Sequence, residues 1–356
     1  MSAEGRPVRL GIVGLQHLHP RFYMGLFRAV PDVLPVAVAE SDRELRQSFC
    51  TDFGLTGYGS VQEMLRNEAL DAAALFLPHA DFPAAAVECA RKGLHLMVDK
   101  PMAADARGAE RIVQAAEENE VQHTTGYYFR LHPVAAEVRE LVQSGAVGRV
   151  VSGDTRWLAG GVSRYRDGGA GWMLDRDRSG GGPLHNLGVH WIDMLRFVLA
   201  DEVAAACGRT VRLNEEYTIE DVCTAQLEFS RGALISLQTA YIDSTRIRHR
   251  SPPVHFSLTG TRGMISWEPF GAGEMDRLTL LCDDPRFSDR SREIDAADYL
   301  QTVGRGYVQA FADAVRGKRP MFVTGHDGVA ALRAVDAVYR SARTLRWERT
   351  DAPGAA

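Results

Sequence analysis

The first third of the chain alternates short apolar segments with amphipathic segments, and this alternation limits the folds that the chain can adopt. Apolar strands are predicted at residues 8–13, 36–39, 72–77, 94–98 and 122–127. Helical periodicity lies between them, at residues 20–29, 43–53, 61–66, 82–92 and 104–119. Strands that alternate with helices pair in parallel, and the helices cover both faces of the sheet. The sequence therefore predicts an N-terminal α/β domain built on a doubly wound parallel sheet.

Beyond residue 150 the pattern changes to the alternation that is typical of antiparallel strands. Strands are predicted at residues 150–157, 222–229, 233–241, 255–260, 263–267 and 277–282. Gly232 and the Thr261-Arg262 pair mark hairpin turns between them. Helices are predicted at residues 133–143, 307–316 and 327–343. We therefore expect a C-terminal α/β domain with a large, mostly antiparallel open sheet.

The length of the chain supports two domains. With 356 residues, of which 45% are hydrophobic, the chain can bury two cores. We place the first domain at residues 1–126 and the second at residues 127–350, with the C-terminal helices packing back toward the first domain. Because an open sheet exposes one face, we expect self-association as a homodimer or homotetramer.

Charge and cysteine content exclude several classes of protein. The net charge is -5 and no basic run is interleaved with aromatic residues, so no nucleic-acid partner is expected. No apolar run reaches membrane-spanning length and the N-terminus has no apolar signal core, so no membrane partner is expected. The five cysteines are scattered, without a C-x-x-C pair. This pattern predicts reduced thiols in a soluble cytoplasmic protein, without a disulfide framework or a zinc site.

A glycine-rich segment leads directly into a helical pattern near the middle of the chain. The glycines at 180–182 let the backbone approach a ligand closely. At about 100° per residue, Asn186, His190 and Asp193 fall on one stripe of the helix that follows. This arrangement suits a general base, His190, held between an amide and a carboxylate at the wall of a cleft. A buried histidine whose neighbours satisfy its hydrogen bonds is the alternative.

The first strand runs into a turn of the kind that binds dinucleotides. The pattern G-x-G-x-x-G would require a second glycine and a third small residue after Gly14, but the chain has Gln16 and His19 there. Glu40 ends the second strand, where a carboxylate can accept hydrogen bonds from the adenosine ribose. Because a carboxylate repels a 2′-phosphate, NAD is predicted in preference to NADP. The alternative for Glu40 is a charge at a helix N-terminus.

Residues 159–182 hold eight of the 34 glycines and are predicted to form a loop. A loop of this length is typical of a functional segment such as a lid. A surface loop without a function is the alternative, and Tyr165 and Trp172 favour the first interpretation.

The segment Val98-Asp99-Lys100-Pro101 follows a predicted strand at the carboxyl edge of the parallel sheet. It resembles the E-K-P signature of the glucose-fructose oxidoreductase/inositol dehydrogenase/rhizopine catabolism (Gfo/Idh/MocA) family. Further segments resemble that family in the same order: Phe76-Leu77-Pro78-His79, 126–133, 172–182, 186–193, Glu220-Asp221 and 260–263. The resemblance implies a Rossmann domain, a second α/β domain, and hydride transfer between nicotinamide and a sugar or cyclitol carbon.

The resemblance also implies roles for individual residues. Lys100 would bond the reacting oxygen and His190 would take or return its proton, with Asn186 beside them. Residues implied to line the cofactor are Gly14, Leu15, Gln16, His17, Glu40, Pro78, His79, Asp99, Lys100, Tyr128 and Trp172. Residues implied to meet a sugar, amino-sugar or cyclitol substrate are Lys100, Tyr128, Arg164, Tyr165, Trp172, Asn186 and His190. No metal site is predicted, because His17, His19 and His79 lack ligand spacing.

Three positions depart from the family pattern. Asn186 stands where aspartate is usual, and an amide cannot stabilise an imidazolium as a carboxylate would, so His190 is expected to be a weak base. Phe82 and Met173 stand where histidine and arginine are frequent, which makes the predicted cleft more apolar. Two other functions stay open: a redox-neutral enzyme with tightly bound NAD, such as an epimerase, lyase or glycosidase, and a non-catalytic binding protein.

Overall fold

The computed structural model describes residues 6–242, 254–269, 275–295 and 299–351. Six strands form the N-terminal sheet: β1 (Val8–Val13), β2 (Val33–Ala39), β3 (Thr56–Tyr58), β4 (Ala72–Leu75), β5 (His95–Val98) and β6 (His123–Thr125). Five helices connect them: α1 (Pro20–Ala29), α2 (Arg43–Phe53), α3 (Val61–Asn67), α4 (Phe82–Arg91) and α5 (Ala106–Glu118). The strand order is β3-β2-β1-β4-β5-β6, and every neighbouring pair is parallel. The predicted doubly wound sheet is confirmed, and β3 is an additional strand.

Burial on both faces explains the continuous apolar strands of this sheet. All four residues of β4 are fully buried. Three of the helices begin at side-chain caps, because Asp42, Ser60 and Asp105 each accept a hydrogen bond from the backbone N–H three residues later. The direction of winding reverses between β1 and β4, and this reversal opens a crevice at the carboxyl ends of the two strands.

Nine strands form a second, open sheet. They are β7 (Val150–Ala159), β8 (Val203–Val211), β9 (Val222–Phe229), β10 (Leu234–Tyr241), β11 (Val254–Gly260), β12 (Gly263–Glu268), β13 (Met275–Cys282), β14 (Arg290–Asp295) and β15 (Glu348–Arg349). Their order is β14-β13-β12-β11-β7-β10-β9-β8-β15. The pair β7–β10 is parallel and the other pairs are antiparallel. The predicted, mostly antiparallel sheet is confirmed, with β8, β14 and β15 in addition.

The remaining helices of the described residues are α6 (Pro133–Gln143), α7 (Ser163–Asp167), α8 (Arg176–Ser179), α9 (Val189–Leu199), α10 (Tyr299–Val315) and α11 (Gly325–Thr344). Short 3-10 turns lie at Tyr128–Leu131 and Gly171–Leu174. The segment 159–182, predicted as a loop, therefore contains two short helices and a 3-10 turn. Asp175 caps α8 through its carboxylate, which is one reason why this segment has regular structure.

The two C-terminal helices pack against both halves of the molecule. Tyr307 and Phe311 of α10 share a buried cluster with Tyr23 and Phe27 of α1. Helix α11 lies between α5 and β8, and its Val338 is buried in the core of the large sheet. In the part of the chain that the structure describes, none of the helices is long and apolar enough to cross a bilayer.

Candidate active site

A buried carboxylate fixes the turn after β1 by accepting hydrogen bonds from the backbone. Gly14 has φ +81°, and a Cβ on it would lie 2.4 Å from Leu77 Cδ2, so glycine is required there. The buried Glu40 carboxylate accepts hydrogen bonds from the backbone N–H of Leu15 at 2.8 Å and of Asp42 at 2.9 Å. Glu40 therefore fixes the turn and also lies at the end of β2, where the sequence predicts it.

The segment with α7 and α8 closes over this turn. Trp172 donates from Nε1 to the backbone oxygen of Gln16 at 2.8 Å. Its ring centroid lies 5.7 Å from that of His17 and 4.8 Å from that of His79. Arg178 accepts a backbone hydrogen bond from Ala80 N at 3.0 Å, which ties the segment to the turn after β4 as well. Trp172 thus lies over the crevice, as the resemblance implies.

Three buried imidazoles line the space beneath Trp172. His79, which follows Pro78, bonds the backbone oxygen of Ser179 through Nδ1, and His185 bonds that of Ala103 through Nε2. Among the described residues, His17 Nε2, His79 Nε2 and His185 Nδ1 have no hydrogen-bond partner. Burial lowers the pKa of His17 and of His185 to about 3, so both rings are neutral at pH 7. Buried, unpartnered nitrogens such as these suit a polar ligand in the crevice.

Lys100 reaches from the end of β5 to the chain segment before α9. Its Nζ donates to Asn186 Oδ1 at 2.8 Å and to the backbone oxygen of Asn186 at 3.1 Å. Burial lowers the pKa of Lys100 to about 8. An ammonium has three hydrogens, so one N–H stays available for a further acceptor.

Asn186 donates its two amide hydrogens to the hydroxyl groups of two tyrosines. Its Nδ2 donates to Tyr165 Oη at 2.7 Å and to Tyr241 Oη at 2.9 Å, and the two phenol oxygens are 3.0 Å apart. Arg164 donates to Tyr165 Oη and lies over that ring, 4.6 Å from its centroid. Tyr165 therefore accepts two hydrogen bonds and donates its proton to Tyr241.

The Tyr241 hydroxyl is left with a proton to donate. It accepts from Asn186 and Tyr165, which uses both acceptor positions of a phenol oxygen. Within residues 6–242, 254–269, 275–295 and 299–351, this proton has no acceptor. The sequence did not identify Tyr241 as a site residue, because a tyrosine at the end of an apolar strand is typical of a core residue. In the sheet, Tyr241 pairs with Ala159, the residue that begins the segment 159–182. A strand that ends beside this segment is the signal that could have identified Tyr241.

The stripe of Asn186, His190 and Asp193 does not form one hydrogen-bonded unit among the described residues. Residues Leu184–Gly188 form a π-helical turn ahead of α9, so the spacing of a uniform α-helix does not apply there. Asn186 contacts Lys100, and Asp193 accepts a hydrogen bond from Arg130 Nε at 2.9 Å. Neither side chain hydrogen-bonds to His190, so the expected amide–imidazole–carboxylate arrangement is absent from the described residues.

His190 lies among aromatic rings instead. Its ring centroid is 4.8 Å from that of Phe129, 5.4 Å from that of Trp157 and 6.1 Å from that of Tyr127. Burial holds the pKa of His190 well below its usual range, and the nearby Lys100 ammonium lowers it further. Burial is thus the larger cause of the low pKa of His190, and the effect of an amide at residue 186 stays a prediction.

The remaining predicted residues lie at the rim of this arrangement. Asp99 is buried, and its Oδ1 accepts the backbone N–H of Lys100 at 2.8 Å. Tyr128 packs 5.9 Å from the ring of Tyr307, close enough to Asp99 for that carboxylate to raise the pKa of the phenol, although burial is the larger cause. The structure therefore brings Gln16, His17, His79 and Trp172 together, and it joins Lys100, Asn186, Tyr165 and Arg164 in one hydrogen-bonded cluster.

Comparison with known proteins gives two family matches. Residues 8–127 match a model described as oxidoreductase family, NAD-binding Rossmann fold. Residues 135–266 match a model described as GFO/IDH/MocA C-terminal domain. Together the two ranges cover more than two thirds of the chain.

Individual proteins are similar over almost the whole length. A 1,5-anhydro-D-fructose reductase of Ensifer adhaerens is 25% identical over 342 residues, which are 94% of this chain and 96% of the relative. A D-xylose 1-dehydrogenase (NADP(+)) of Haloferax volcanii is 26% identical over 316 residues, 86% of this chain and 89% of the relative. The crystal structure of the WlbA dehydrogenase from Bordetella pertussis, in complex with NADH and UDP-GlcNAcA, is similar in fold. Its TM-score is 0.83 at 21% identity, over 97% of this chain and 99% of that one.

Proposed function

This chain belongs to the Gfo/Idh/MocA family of oxidoreductases with an NAD-binding Rossmann fold, and we propose that it oxidises or reduces a sugar-type substrate. The reaction is hydride transfer between NAD and a carbinol or keto carbon of a sugar, amino-sugar or cyclitol derivative. Sugar-named reductases and dehydrogenases among its relatives support this substrate class.

The observation that carries the proposal is the position of the Lys100 ammonium. It is buried, it is aligned by Asn186 from the second half of the chain, and it keeps one N–H for an acceptor. An ammonium fixed in a site shielded from water stabilises negative charge that develops on a reacting oxygen. Lys100 therefore binds the substrate oxygen in this proposal.

Two further groups complete the hydrogen bonding of that oxygen. His190 is neutral because it is buried, so it can accept the proton of a carbinol hydroxyl. The free Tyr241 proton points from the same cluster and donates to a substrate oxygen. Tyr128, Arg164, Tyr165 and Trp172 border the same space and are proposed as substrate contacts.

The residues of the crevice fit a dinucleotide. The turn at Gly14 precedes the N-terminus of α1, where backbone N–H groups favour a pyrophosphate. Of the acceptor positions on the Glu40 carboxylate, three are used by Leu15, Ser41 and Asp42, which leaves room for a ribose hydroxyl. When bound, NAD supplies the nicotinamide carbon that gives or accepts the hydride.

We propose NAD rather than NADP, although some relatives are named for NADP. Glu40 and Asp42 place two carboxylates at the end of β2, where a 2′-phosphate would meet repulsion. A thermal shift assay tests this choice: NAD at 100 times its Kd should stabilise the fold by about 2.7 kcal/mol. A larger shift with NADP at the same concentration would overturn it.

A lysine exchange tests the reaction itself. Lys100→Met removes the charged donor, so we expect turnover of the best sugar in a panel to fall by about 100-fold or more, with NAD binding retained. Lys92→Met, on an exposed lysine after α4, is the matched control and should leave turnover unchanged. Full activity in Lys100→Met would refute the role of Lys100. Consumption of sugar without accumulation of reduced nicotinamide would identify redox-neutral chemistry.

We also propose that the protein acts in the cytoplasm as a homodimer or homotetramer. All five cysteines are free thiols, as in proteins of reducing compartments. One face of the large sheet is exposed and carries Leu234 and Leu281, 47% and 44% exposed. Light scattering during gel filtration tests the oligomeric state, and a mass of 39.1 kDa would show a monomer.

A further inference from the structure

Asp99 is a buried carboxylate that faces imidazoles, with no arginine or lysine side-chain nitrogen of the described residues within 4.0 Å. It is 3% exposed, and its Oδ1 accepts the backbone N–H of Lys100. The Lys100 side chain turns away to Asn186. A buried charge is costly unless it is paired or binds a metal. Here the direct partner of Asp99 Oδ2 is the His19 ring, whose Nδ1 lies within hydrogen-bond distance.

Two imidazoles from the turn after β1 converge on that oxygen. His19 Nδ1 lies 2.6 Å from Asp99 Oδ2, and His17 Nδ1 lies 3.3 Å from it. All three atoms lie within 4.8 Å of one another. Nitrogen and oxygen ligands lie about 2.0–2.2 Å from Zn²⁺, so ligands of one ion are separated by roughly 3–3.5 Å. The His17 distance fits this range, and the His19 ring, about one third exposed, has room to move outward.

The hydrogen bonding of His17 also favours a cation. Its Nδ1 accepts the backbone N–H of His19 at 3.3 Å, so that nitrogen carries a lone pair and no proton. The Asp99 carboxylate oxygen lies 3.3 Å from this nitrogen, and two acceptors without a hydrogen between them repel each other. A metal ion bound to both atoms would replace this repulsion by attraction. His17 is buried, and its Nε2 has no hydrogen-bond partner among the described residues.

We propose that His17, His19 and Asp99 form a binding site for a divalent transition metal ion of the Zn²⁺ or Co²⁺ type. Two imidazoles and one carboxylate are ligands that such ions accept, with the remaining positions open to water or a ligand. Because His19 precedes α1 directly, the ion adds positive charge at the end of the helix where a dinucleotide fold holds pyrophosphate. The site offers that charge in a turn that lacks the second glycine of the usual pattern.

A second group of ligand-type residues is not part of this proposal. Glu117, His123 and His326 also lie within reach of one ion. However, Glu117 and His326 are exposed and His123 is only partly buried, so these groups are hydrated and do not need an ion to compensate their charge. This exposed group supplies a matched control.

The test is metal uptake by the chelator-treated full chain. Co²⁺ is titrated while its visible absorption is recorded, and Zn²⁺ binding is measured by calorimetry. We expect one equivalent to bind in the wild type and in His326→Gln. In His19→Gln, a substitution at a partly exposed position, the affinity should fall by at least about tenfold. Asp99→Asn should show the same loss, and melting in the presence of chelator shows whether each variant is folded.

Two results would overturn the proposal. One is a wild type that binds neither ion at roughly millimolar concentration, the weak limit of specific binding. The other is uptake that persists in His19→Gln and disappears in His326→Gln. Metal uptake is measured without NAD or substrate, so its outcome is independent of the proposed oxidoreductase activity.

Discussion

Asn186 differs from an aspartate in having hydrogens to donate, and both of them are used. The amide oxygen accepts a hydrogen bond from Lys100, and the amide nitrogen donates to Tyr165 and Tyr241. A carboxylate at this position would accept from both phenols, which would draw their protons inward. The amide leaves the Tyr241 proton without an acceptor among the described residues, so it is available to a ligand.

Two phenylalanine exchanges separate the roles of the tyrosines. Tyr241→Phe removes the free donor, so kcat/KM for the best sugar should fall by about tenfold, the value of one hydrogen bond of about 1.4 kcal/mol. Tyr165→Phe removes a supporting hydroxyl from the same cluster, so its loss should be smaller. Steady-state kinetics on both variants decides this. An equal or larger loss in Tyr165→Phe would contradict the assignment.

Asp336 gives the stability of the fold a dependence on pH. Its carboxylate accepts the backbone N–H of Ala106 at 3.0 Å, and burial raises its pKa to about 6 from a usual value near 4. The folded state therefore binds this proton more tightly than the unfolded state does. The stability that protonated Asp336 contributes to the fold is fully present below about pH 4 and is lost as the pH rises through 6.

Asp336→Asn should remove this dependence and keep an oxygen for Ala106. The two-unit shift corresponds to about 2.7 kcal/mol at full burial, and partial exposure reduces our expectation to about 1 kcal/mol. We expect the free energy of unfolding of the variant, relative to that of the wild type, to rise by about 1 kcal/mol between pH 4.5 and pH 7.5. Urea unfolding at the two pH values measures this difference. A difference in stability that is the same at both pH values would show that Asp336 does not titrate in this range.

At the scale of elements, the segment from α8 to α9 is the most constrained part of the chain. Gly180 has φ +86°, and a Cβ on it would lie 2.3 Å from the backbone oxygen of Ala104. A Cβ on Gly182 would lie 2.2 Å from the backbone oxygen of Glu220. These close approaches place the π-helical turn, and with it Asn186, against Lys100.

An alanine exchange at Gly180 should therefore be more harmful than at a comparable glycine. Gly180→Ala combines left-handed backbone strain of about 1 kcal/mol with a clash against backbone, for a total of about 2–4 kcal/mol. Gly232→Ala is the matched control, because Gly232 has φ +87° and open space around it. Urea unfolding of both variants measures the difference. Equal losses of stability in the two variants would mean that the backbone at Ala104 moves away from the new Cβ at no cost in free energy.

The helix that carries His190 shows where sequence reasoning reaches its limit. The apolar residues of α9 identify its buried side correctly, since Trp191, Met194 and Val198 are in the core. The π-helical turn before it cannot be found by counting residues, because the apolar pattern does not distinguish i→i+5 bonding from i→i+4 bonding. The side chains before and after that turn therefore face different partners from those predicted.

At the scale of the whole molecule, a charge cluster connects three distant parts of the chain. Arg130, in the segment after β6, donates to Asp193 of α9 at 2.9 Å and to Asp327 of α11 at 2.8 Å. The attraction of these carboxylates raises the pKa of Arg130 although burial opposes it. One guanidinium thus connects three elements that are distant in sequence.

Removing that guanidinium should destabilise the entire fold. Arg130→Met leaves the buried Asp193 and the partly buried Asp327 with weaker compensation, so we expect a loss of about 3–5 kcal/mol in the free energy of unfolding. Arg333→Met is the matched control: it also breaks an ion pair of α11, to Glu110 at 2.7 Å, but both side chains are more than 40% exposed. Its loss should stay below about 1 kcal/mol. Similar melting of both variants would show that Arg130 contributes no more than a surface pair.

The division into two sheets could be predicted because it depends on local patterns. Strand β4 is a continuous apolar run, β1 and β5 are apolar except for Arg9 and His95, and β9 and β10 alternate around Gly232. The partners of single side chains could not be predicted, because Lys100 and Asn186 meet only after both sheets have formed. Asp99 illustrates the same limit, since its histidine neighbours come from another strand end.

The two ends of the large sheet also determine how the protein resists polymerisation. Strand β14 carries Arg290, Arg292, Glu293 and Asp295, and β15 at the opposite end is two residues long. Strands with this much charge, or this little backbone, are poor templates for a neighbour of the same kind. Crowded copies of this molecule are therefore expected to avoid sideways stacking into fibrils, even though the sheet never closes into a barrel.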